Sequence, residues 1–484
     1  MKSTLRSRLV SLLAAMSLVA GLLAGVGQPA RAAAADDLGL PFFGLFMHNH
    51  DPQATARAAA AGAAMATVEV HWAELEPVHR PDGSWDAAAR AGLDDRFTNV
   101  SRNRLVPVAV VGWAPWWAAT NTRGPLNAGQ EANYLAFLRT LVQRYSQSPY
   151  GVHHWMLWPE PDAERSPTKS TERASWGDDG AVFAALMRQA YPAIKQADPT
   201  ARVILGPLAH DWFDDPDGRT PGFNAGGIFR YRFLDDVLSN GGAGSFDAVG
   251  LNAYLAFASG WETHGSGVDV AAKIDHVRKR LQSHGVDVPI VVGEGGFWSA
   301  GDEVPATDGS GRVIGSLQPS EEVQAAYVAK LYARARDAGA AATIWFTLDD
   351  YDALPTKYGI YAAGGAPKLA QPAYKWAAAA LGDPRRPVPA SWLTALDGQV
   401  ESYGSVGLGR WTAVAWATGA LSPRARVSVL PGARAYDRTG KEVAPVGVAG
   451  DGAQLYDLGA SPVYFERTAY VTMVPLVLRS FAAQ

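Results

Sequence analysis

Short apolar runs recur along the first three quarters of the chain, and longer stretches with helical spacing separate them. The runs are Phe42–Met47, Thr67–His71, Leu105–Gly112, Val152–Trp158, Arg202–Gly206, Phe246–Leu251, Pro289–Gly293 and Ala341–Phe346. Each is the length of a strand, and several show no alternation, as expected of strands buried on both faces. Between them, Glu131 to Tyr145 places Tyr134, Leu135, Leu138, Leu141, Val142 and Tyr145 on one stripe. Val182 to Gln196 and Glu321 to Ala338 repeat that spacing, so all three read as amphipathic helices. Asp198-Pro199 and Gly285 punctuate helix exits. Strands alternating with helices predict an α/β fold, and eight such units predict a closed (β/α)8 barrel with long loops.

The texture changes after Gly382. Asp383 to Pro389 contains three prolines and reads as a stiff linker. Beyond it come short alternating runs, Trp411–Trp416, Arg426–Leu430, Ala433–Tyr436 and Val463–Glu466, separated by Gly, Pro and Asp. They predict a small C-terminal β-sandwich. Tyr470 to Leu478 is apolar but contains Pro475 and is too short to span a bilayer, so it reads as strand. The expected organisation is a leader over 1–32, a barrel over 38–382 and a sandwich over 390–484.

The leader changes the expected location. Lys2, Arg6 and Arg8 precede an apolar stretch from Val10 to Val26, and Ala30-Arg31-Ala32 supplies small residues for cleavage. This is the pattern of a secretory signal peptide. It predicts a secreted, extracellular protein without stable membrane insertion once the leader is removed. The richness in alanine, glycine and arginine suits a bacterial gene. A net charge of −4 on 484 residues argues against nucleic acid as a partner. With no cysteine there are no disulfides, thiolate metal sites or cysteine nucleophiles. The oligomeric state is not legible.

Candidate chemistry sits at two strand ends. Trp155-Met156-Leu157-Trp158 leads into Pro159-Glu160-Pro161-Asp162, and Pro289-Ile290-Val291-Val292 leads into Gly293-Glu294-Gly295-Gly296. The C-terminal ends of barrel strands carry catalysis. Two carboxyl groups delivered to one face supply an acid/base and a nucleophile for glycosidic bond cleavage. Glu160 lies between prolines that restrict the backbone, with Asp162 and Glu164 as competitors further from the strand. The glycines around Glu294 are expected to let a substrate approach closely.

With these residues in place, the chain resembles clan A of the glycoside hydrolases, retaining enzymes on a (β/α)8 barrel. It is most similar in texture to the β-xylosidase and α-L-iduronidase branch with its appended sandwich. Trp72-Ala73-Glu74-Leu75-Glu76-Pro77 resembles the strand-two motif of the clan. Gly112-Trp113-Ala114-Pro115-Trp116-Trp117 resembles its strand-three segment, and Asp247 to Tyr254 its strand-six segment. Ile344-Trp345-Phe346 resembles strand eight, and Tyr358-Gly359-Ile360 with Pro367-Lys368 the exit from the barrel. The resemblance implies Glu160 as acid/base at strand four and Glu294 as nucleophile at strand seven, with a carbohydrate substrate and no cofactor. Three positions depart from the clan pattern. Pro159 stands where the clan has Asn, Thr67 where it has Arg, with Glu69 two residues on, and Asn252 where it has His. These departures support an alternative, a catalytically silent carbohydrate-binding or exopolysaccharide-associated protein on the same fold.

The expected substrate shell is Asn252, Tyr254, Trp345, Trp116, Trp298, His48 and His71. Tyr254 is placed to hydrogen-bond Glu294, and Asn252 to replace the missing asparagine at the sugar 2-hydroxyl. Trp345 and Trp116 are the first choices among the aromatics for stacking on a sugar, with Trp117, Trp158, Trp212 and Trp261 as further rim candidates. His48 and His50 with Asp51 have a spacing compatible with zinc, but no third ligand is positioned, and no metal is expected. Burial is expected to raise the pKa of Glu160 while hydrogen bonds keep Glu294 ionised.

Overall fold

The computed structural model describes residues 38–164, 175–210, 229–254, 269–307, 313–352, 355–384 and 386–468. The leader, the Tyr470–Leu478 stretch, Trp212 and Trp261 lie outside the described residues.

Eight parallel strands close into a barrel: β1 Phe43–Leu45, β2 Met65–His71, β3 Val106–Gly112, β4 His154–Leu157, β5 Arg202–Leu208, β6 Ala248–Tyr254, β7 Ile290–Gly296 and β8 Ala342–Trp345. They are hydrogen-bonded in sequence order from β1 to β8, and β8 pairs with β1 to complete the ring. The main helices around them are α1 Pro52–Ala60, α2 Ala87–Arg102, α3 Glu131–Tyr145, α4 Gly180–Ala197, α5 Val270–Ser283, α6 Glu321–Asp337 and α7 Ala370–Leu381. A short hairpin, Val304–Thr307 with Val313–Leu317, is inserted between β7 and α6.

Local signals explain where helices begin. Asp51 accepts from the amide of Ala54 ahead of Pro52 at the first turn of α1, and Asp86 accepts from Ala88 and Ala89 at α2. Ser320 caps α6, which opens with Glu321 and Glu322 and closes with Arg334 and Arg336, so its charges complement the helix dipole.

Side chains divide into two layers by strand alternation. Met65, Val108, Met156, Ile204, Ala248, Val291, Ala342 and Ile344 fill the barrel interior. Ala66, Ala109, Trp155, Leu157, Val203, Val249, Val292 and Trp345 face the helices. One interruption matters for function. Leu251 pairs with Val292 but the next residue, Asn252, pairs with Glu294, so β7 carries an extra residue at Gly293. The register against β8 shifts over the same stretch. This β-bulge changes the phase of the strand and sets Glu294 opposite Asn252.

The C-terminal region holds two antiparallel sheets. One has six strands in the order Arg386–Val388, Gln399–Gly407, Arg410–Thr418, Val463–Thr468, Arg434–Asp437, Glu442–Val443. The other has four, Leu393–Asp397, Ala425–Val429, Gln454–Leu458, Gly447–Val448. The first strand falls inside the stretch read as linker: Arg386 to Val388 pair with Gly404 to Val406. Along Arg410–Thr418, Ala413 and Ala415 face the second sheet while Val414 and Trp416 join the barrel's outer core. The larger sheet is therefore buried on both faces. Arg334 of α6 ties the two parts together. Its side chain is only 8% exposed and pairs with Glu401 at 2.7 Å and Asp269 at 3.2 Å, and its guanidinium lies over Trp416.

Candidate active site

β4 ends at Leu157, and Glu160 follows three residues later, 24% exposed in its side chain. Its amide donates to Pro207 O at 2.9 Å, which pins the turn against β5. Trp113, Trp158 and Glu160 all have φ between 50° and 59°. Non-glycine residues in this left-handed region cost on the order of 1–3 kcal/mol each and gather at functional sites. Asp162 anchors the same turn from below. It is buried and accepts from the amides of Ala209 and His210, and burial pushes its carboxyl up to about 6. Glu164 is buried and faces Arg230. Both competitors of Glu160 are thus engaged in holding loops.

Glu294 lies inside β7 rather than at its end, since the strand continues to Gly296. Tyr254 Oη donates to Glu294 Oε2 at 2.6 Å. Asn252, the register partner of Glu294, donates from Nδ2 to Glu160 Oε1 at 3.2 Å. Neighbouring inward positions of β6 thus hold both carboxylates, one each. Lys273, buried on α5, donates to the carbonyl of Asn252 at 2.7 Å and fixes that part of β6 from outside. Asn252, expected at the sugar 2-hydroxyl, here gives an amide hydrogen bond to Glu160, and its Oδ1 is without a partner among the described residues.

Glu294, expected to stay ionised, is pushed the other way by its surroundings. Burial, then the charge of Glu160, push Glu294 up to about 8, while the Tyr254 hydrogen bond pulls it down. Glu294 therefore favours its protonated form at neutral pH in the free protein.

The glycines flanking Glu294, expected to let a substrate approach, have a packing reason of their own. A Cβ at Gly293 would lie 2.8 Å from Pro207 Cβ, and one at Gly296 would lie 2.7 Å from Phe346 O. They are small so that the barrel can close on itself around the bulge.

The aromatic candidates separate sharply. Trp345 is 0% exposed, faces the helical layer and donates from Nε1 to Tyr358 O. It presents no surface to a ligand, because Ile344 takes the inward position next to it. Trp298 is also buried, stacked on Phe297 at 4.8 Å and bonded to Asp302 O. Trp158 packs against Tyr134 and Trp176 in the core, and Trp117 donates to Glu76 O. Trp116 is 72% exposed on the loop after β3. The rings around Tyr254, and so beside Glu294, are Phe346 and Tyr358, which meet it edge to face, while Trp113 lies against His71 at 4.1 Å.

The histidines differ too. His50 is buried and donates from Nε2 to Thr67 O at 2.6 Å, and burial lowers it to about 4, so it is neutral. His48 is half exposed beside Glu69, with Nδ1 3.8 Å from Oε2. His71 Nδ1 lies 3.0 Å from Glu74, and its buried Nε2 has no hydrogen-bond partner among the described residues. Among the described residues no group of three or more His, Asp or Glu side chains converges as a metal site would, and no helix is long and apolar enough to cross a membrane.

Two site residues escaped the sequence reading. Arg123, from the loop after β3, donates to Glu160 Oε2 and to Pro159 O, both at 3.3 Å. Nothing in its surroundings, Thr122-Arg123-Gly124, signals that role. Glu69 does carry a signal. It is a carboxylate inside an otherwise apolar strand, at inward parity with Met65. Burial acts to raise its carboxyl, but hydrogen bonding to His48 and the charge of His71 hold it below the usual range.

No family model and no curated protein sequence matches the chain. Solved structures do. A family 39 glycoside hydrolase from Bacteroides cellulosilyticus WH2 aligns with a TM-score of 0.64 at 18% identity, over 90% of this chain and 82% of its own. A family 30 subfamily 8 xylanase from Clostridium acetobutylicum gives 0.55 at 14%, over 89% and 97%. A family 39 β-xylosidase from Caulobacter crescentus gives 0.52 at 18%, over 88% and 96%. The likeness establishes the shared architecture, a (β/α)8 barrel with a C-terminal sandwich.

Proposed function

We propose that the chain is a secreted glycoside hydrolase that cleaves O-glycosidic bonds of a poly- or oligosaccharide with retention at the anomeric carbon. The observation that carries the reading is the carboxyl pair at β4 and β7, held by Asn252 on Glu160 and Tyr254 on Glu294. Removal of the leader over 1–32 and export of the barrel over 38–382 with the sandwich over 390–484 belong to the same proposal. The neighbours in structure, a xylanase and a β-xylosidase among them, support a carbohydrate substrate.

In the first step an oxygen of ionised Glu294 attacks the anomeric carbon. The bond from that carbon to the leaving oxygen breaks, and Glu160 gives its proton to the leaving oxygen. In the second step water attacks the same carbon, the bond to Glu294 breaks, and Glu160 takes a proton from the water. The first step starts with the proton on Glu160 and the charge on Glu294, so the proton that burial favours on Glu294 must leave it when substrate binds; the second starts with Glu294 bonded to the sugar and Glu160 ionised. The Tyr254 hydrogen bond favours the charge on Glu294. Arg123 sits on Glu160, so the productive state requires its guanidinium to move aside or to turn to the substrate.

That contact also favours the second reading, a binding protein without turnover, because a permanent ion pair would keep Glu160 from donating. One experiment separates the two. The protein is screened on aryl glycosides and polysaccharides, and active wells are followed with a 2-deoxy-2-fluoro glycoside. Hydrolysis, with mass spectrometry locating the covalent sugar on Glu294, supports the enzyme. Binding without turnover across the panel supports the silent protein. In an active enzyme, Glu294→Ala is inactive on every substrate, whereas Glu160→Ala keeps activity on glycosides with good leaving groups, which need little protonation.

A further inference from the structure

Glu69 is a third carboxylate at the barrel mouth, and neither step of the reaction uses it. Its charge is among those that raise Glu294, so it lies within electrostatic reach of the nucleophile. His48, next to it, also lines a cavity of about 530 Å3 between the loops that follow β1 and β8. The walls of that cavity include His48, Asp51, Arg57, Asp349, Tyr351 and Asp352. The Tyr351 ring is 48% exposed and lies 5.1 Å from the His48 ring. Arg57 is spent on Asp349, which it meets with Nη2 at 2.9 and 2.8 Å.

We propose that this edge cavity, with Glu69 behind its His48 wall, forms a further sugar-binding station, which takes neutral or amino-bearing rings and rejects rings carrying carboxylate or sulfate. The proposal rests on the carbohydrate reading of the barrel face and extends it to a substrate class. The volume lies within the range that small-ligand sites occupy. An exposed tyrosine offers a face for the C–H side of a ring, and carboxylates accept from hydroxyl or ammonium groups with the strength of charge-assisted bonds. Among the described residues of the wall, the one arginine is already paired with Asp349, so an anionic sugar would meet Asp51 and Asp352, with the charge of Glu69 behind His48. Like charges at such separations repel strongly in a partly desolvated cleft.

The test uses the full chain with Glu294→Gln, which blocks turnover under the reading above, and titrates three tetrasaccharides by calorimetry. They are a glucosamine oligomer, a neutral xylo-oligomer and an oligogalacturonate. The expected order of affinity is amino, then neutral, then anionic, with the last at least tenfold weaker than the second. Adding Tyr351→Ala should weaken the first two roughly tenfold, and Tyr351→Phe should restore them. Adding Glu69→Gln should shrink the neutral-to-anionic gap by roughly tenfold. Equal or tighter binding of oligogalacturonate overturns the proposal, as does unchanged affinity in Tyr351→Ala, or no binding of any tetramer at millimolar concentration. Failure of the hydrolase reading would show separately, as absence of turnover by the unmutated protein while these binding preferences stand.

Discussion

Replacing Glu294 by glutamine should stabilise the protein, and increasingly so as pH rises. The carboxyl is pushed up from 4.5 to about 8, first by burial and then by the charge of Glu160. Between those values the unfolded chain has lost this proton and the folded chain still holds it, so unfolding releases a proton. Stability then falls as pH rises through the window, because the folded state binds more protons than the unfolded one. Each pH unit is worth at most about 1.4 kcal/mol, which sums to an upper limit on the order of a few kcal/mol. Glutamine keeps the shape and an acceptor for Tyr254 but carries no charge. Thermal unfolding of both proteins from pH 5 to pH 8.5 should therefore show a difference near zero at the acid end. It should grow to roughly 5 °C in favour of the variant at the alkaline end. A difference independent of pH, or one that favours wild type at pH 8.5, would refute the buried-carboxylate argument.

Other expectations follow from single contacts. Tyr254→Phe removes the 2.6 Å bond to Glu294 and should lower kcat roughly 10- to 100-fold with little change in KM on any substrate the enzyme turns over. Trp116→Ala, at a side chain 72% exposed, should leave the melting temperature unchanged and raise KM, whereas Trp345→Ala, in the core, should cost about 3–5 kcal/mol in denaturant unfolding. Arg334→Met leaves Asp269 and Glu401 without their cation and should destabilise by about 3–5 kcal/mol, and Arg334→Met with Glu401→Gln should recover part of that loss.

The eight strands of the barrel were visible in the chain because strands buried on both faces must be short and apolar, and helices around them must show one apolar stripe. The same reasoning identified the C-terminal sandwich, although Arg386–Val388 pairs with a sheet despite its proline. An edge strand tolerates Pro387, since only one of its sides is hydrogen-bonded. Trp345 shows a limit of motif reading. Alternation from Ile344 already assigns it to the outer layer, yet its place in a familiar segment made it a substrate candidate.

What sequence alone determined is local: short buried apolar runs, eight β/α units, and carboxylates near the C-terminal ends of the fourth and seventh strands. Local periodicity encodes which residues are buried, and burial drives the fold. The phase of Glu294 was decided elsewhere. A bulge at Gly293 exists because β7 must match β6 and β8 at once, and no local pattern records that constraint. Arg123 reaches Glu160 across 37 residues of chain, and Asn252 across 92. The raised carboxyl of Glu294 depends on how deeply closure of the ring sets it and on a second charge brought from another strand. Such quantities belong to distances in space, and only the assembled barrel specifies them.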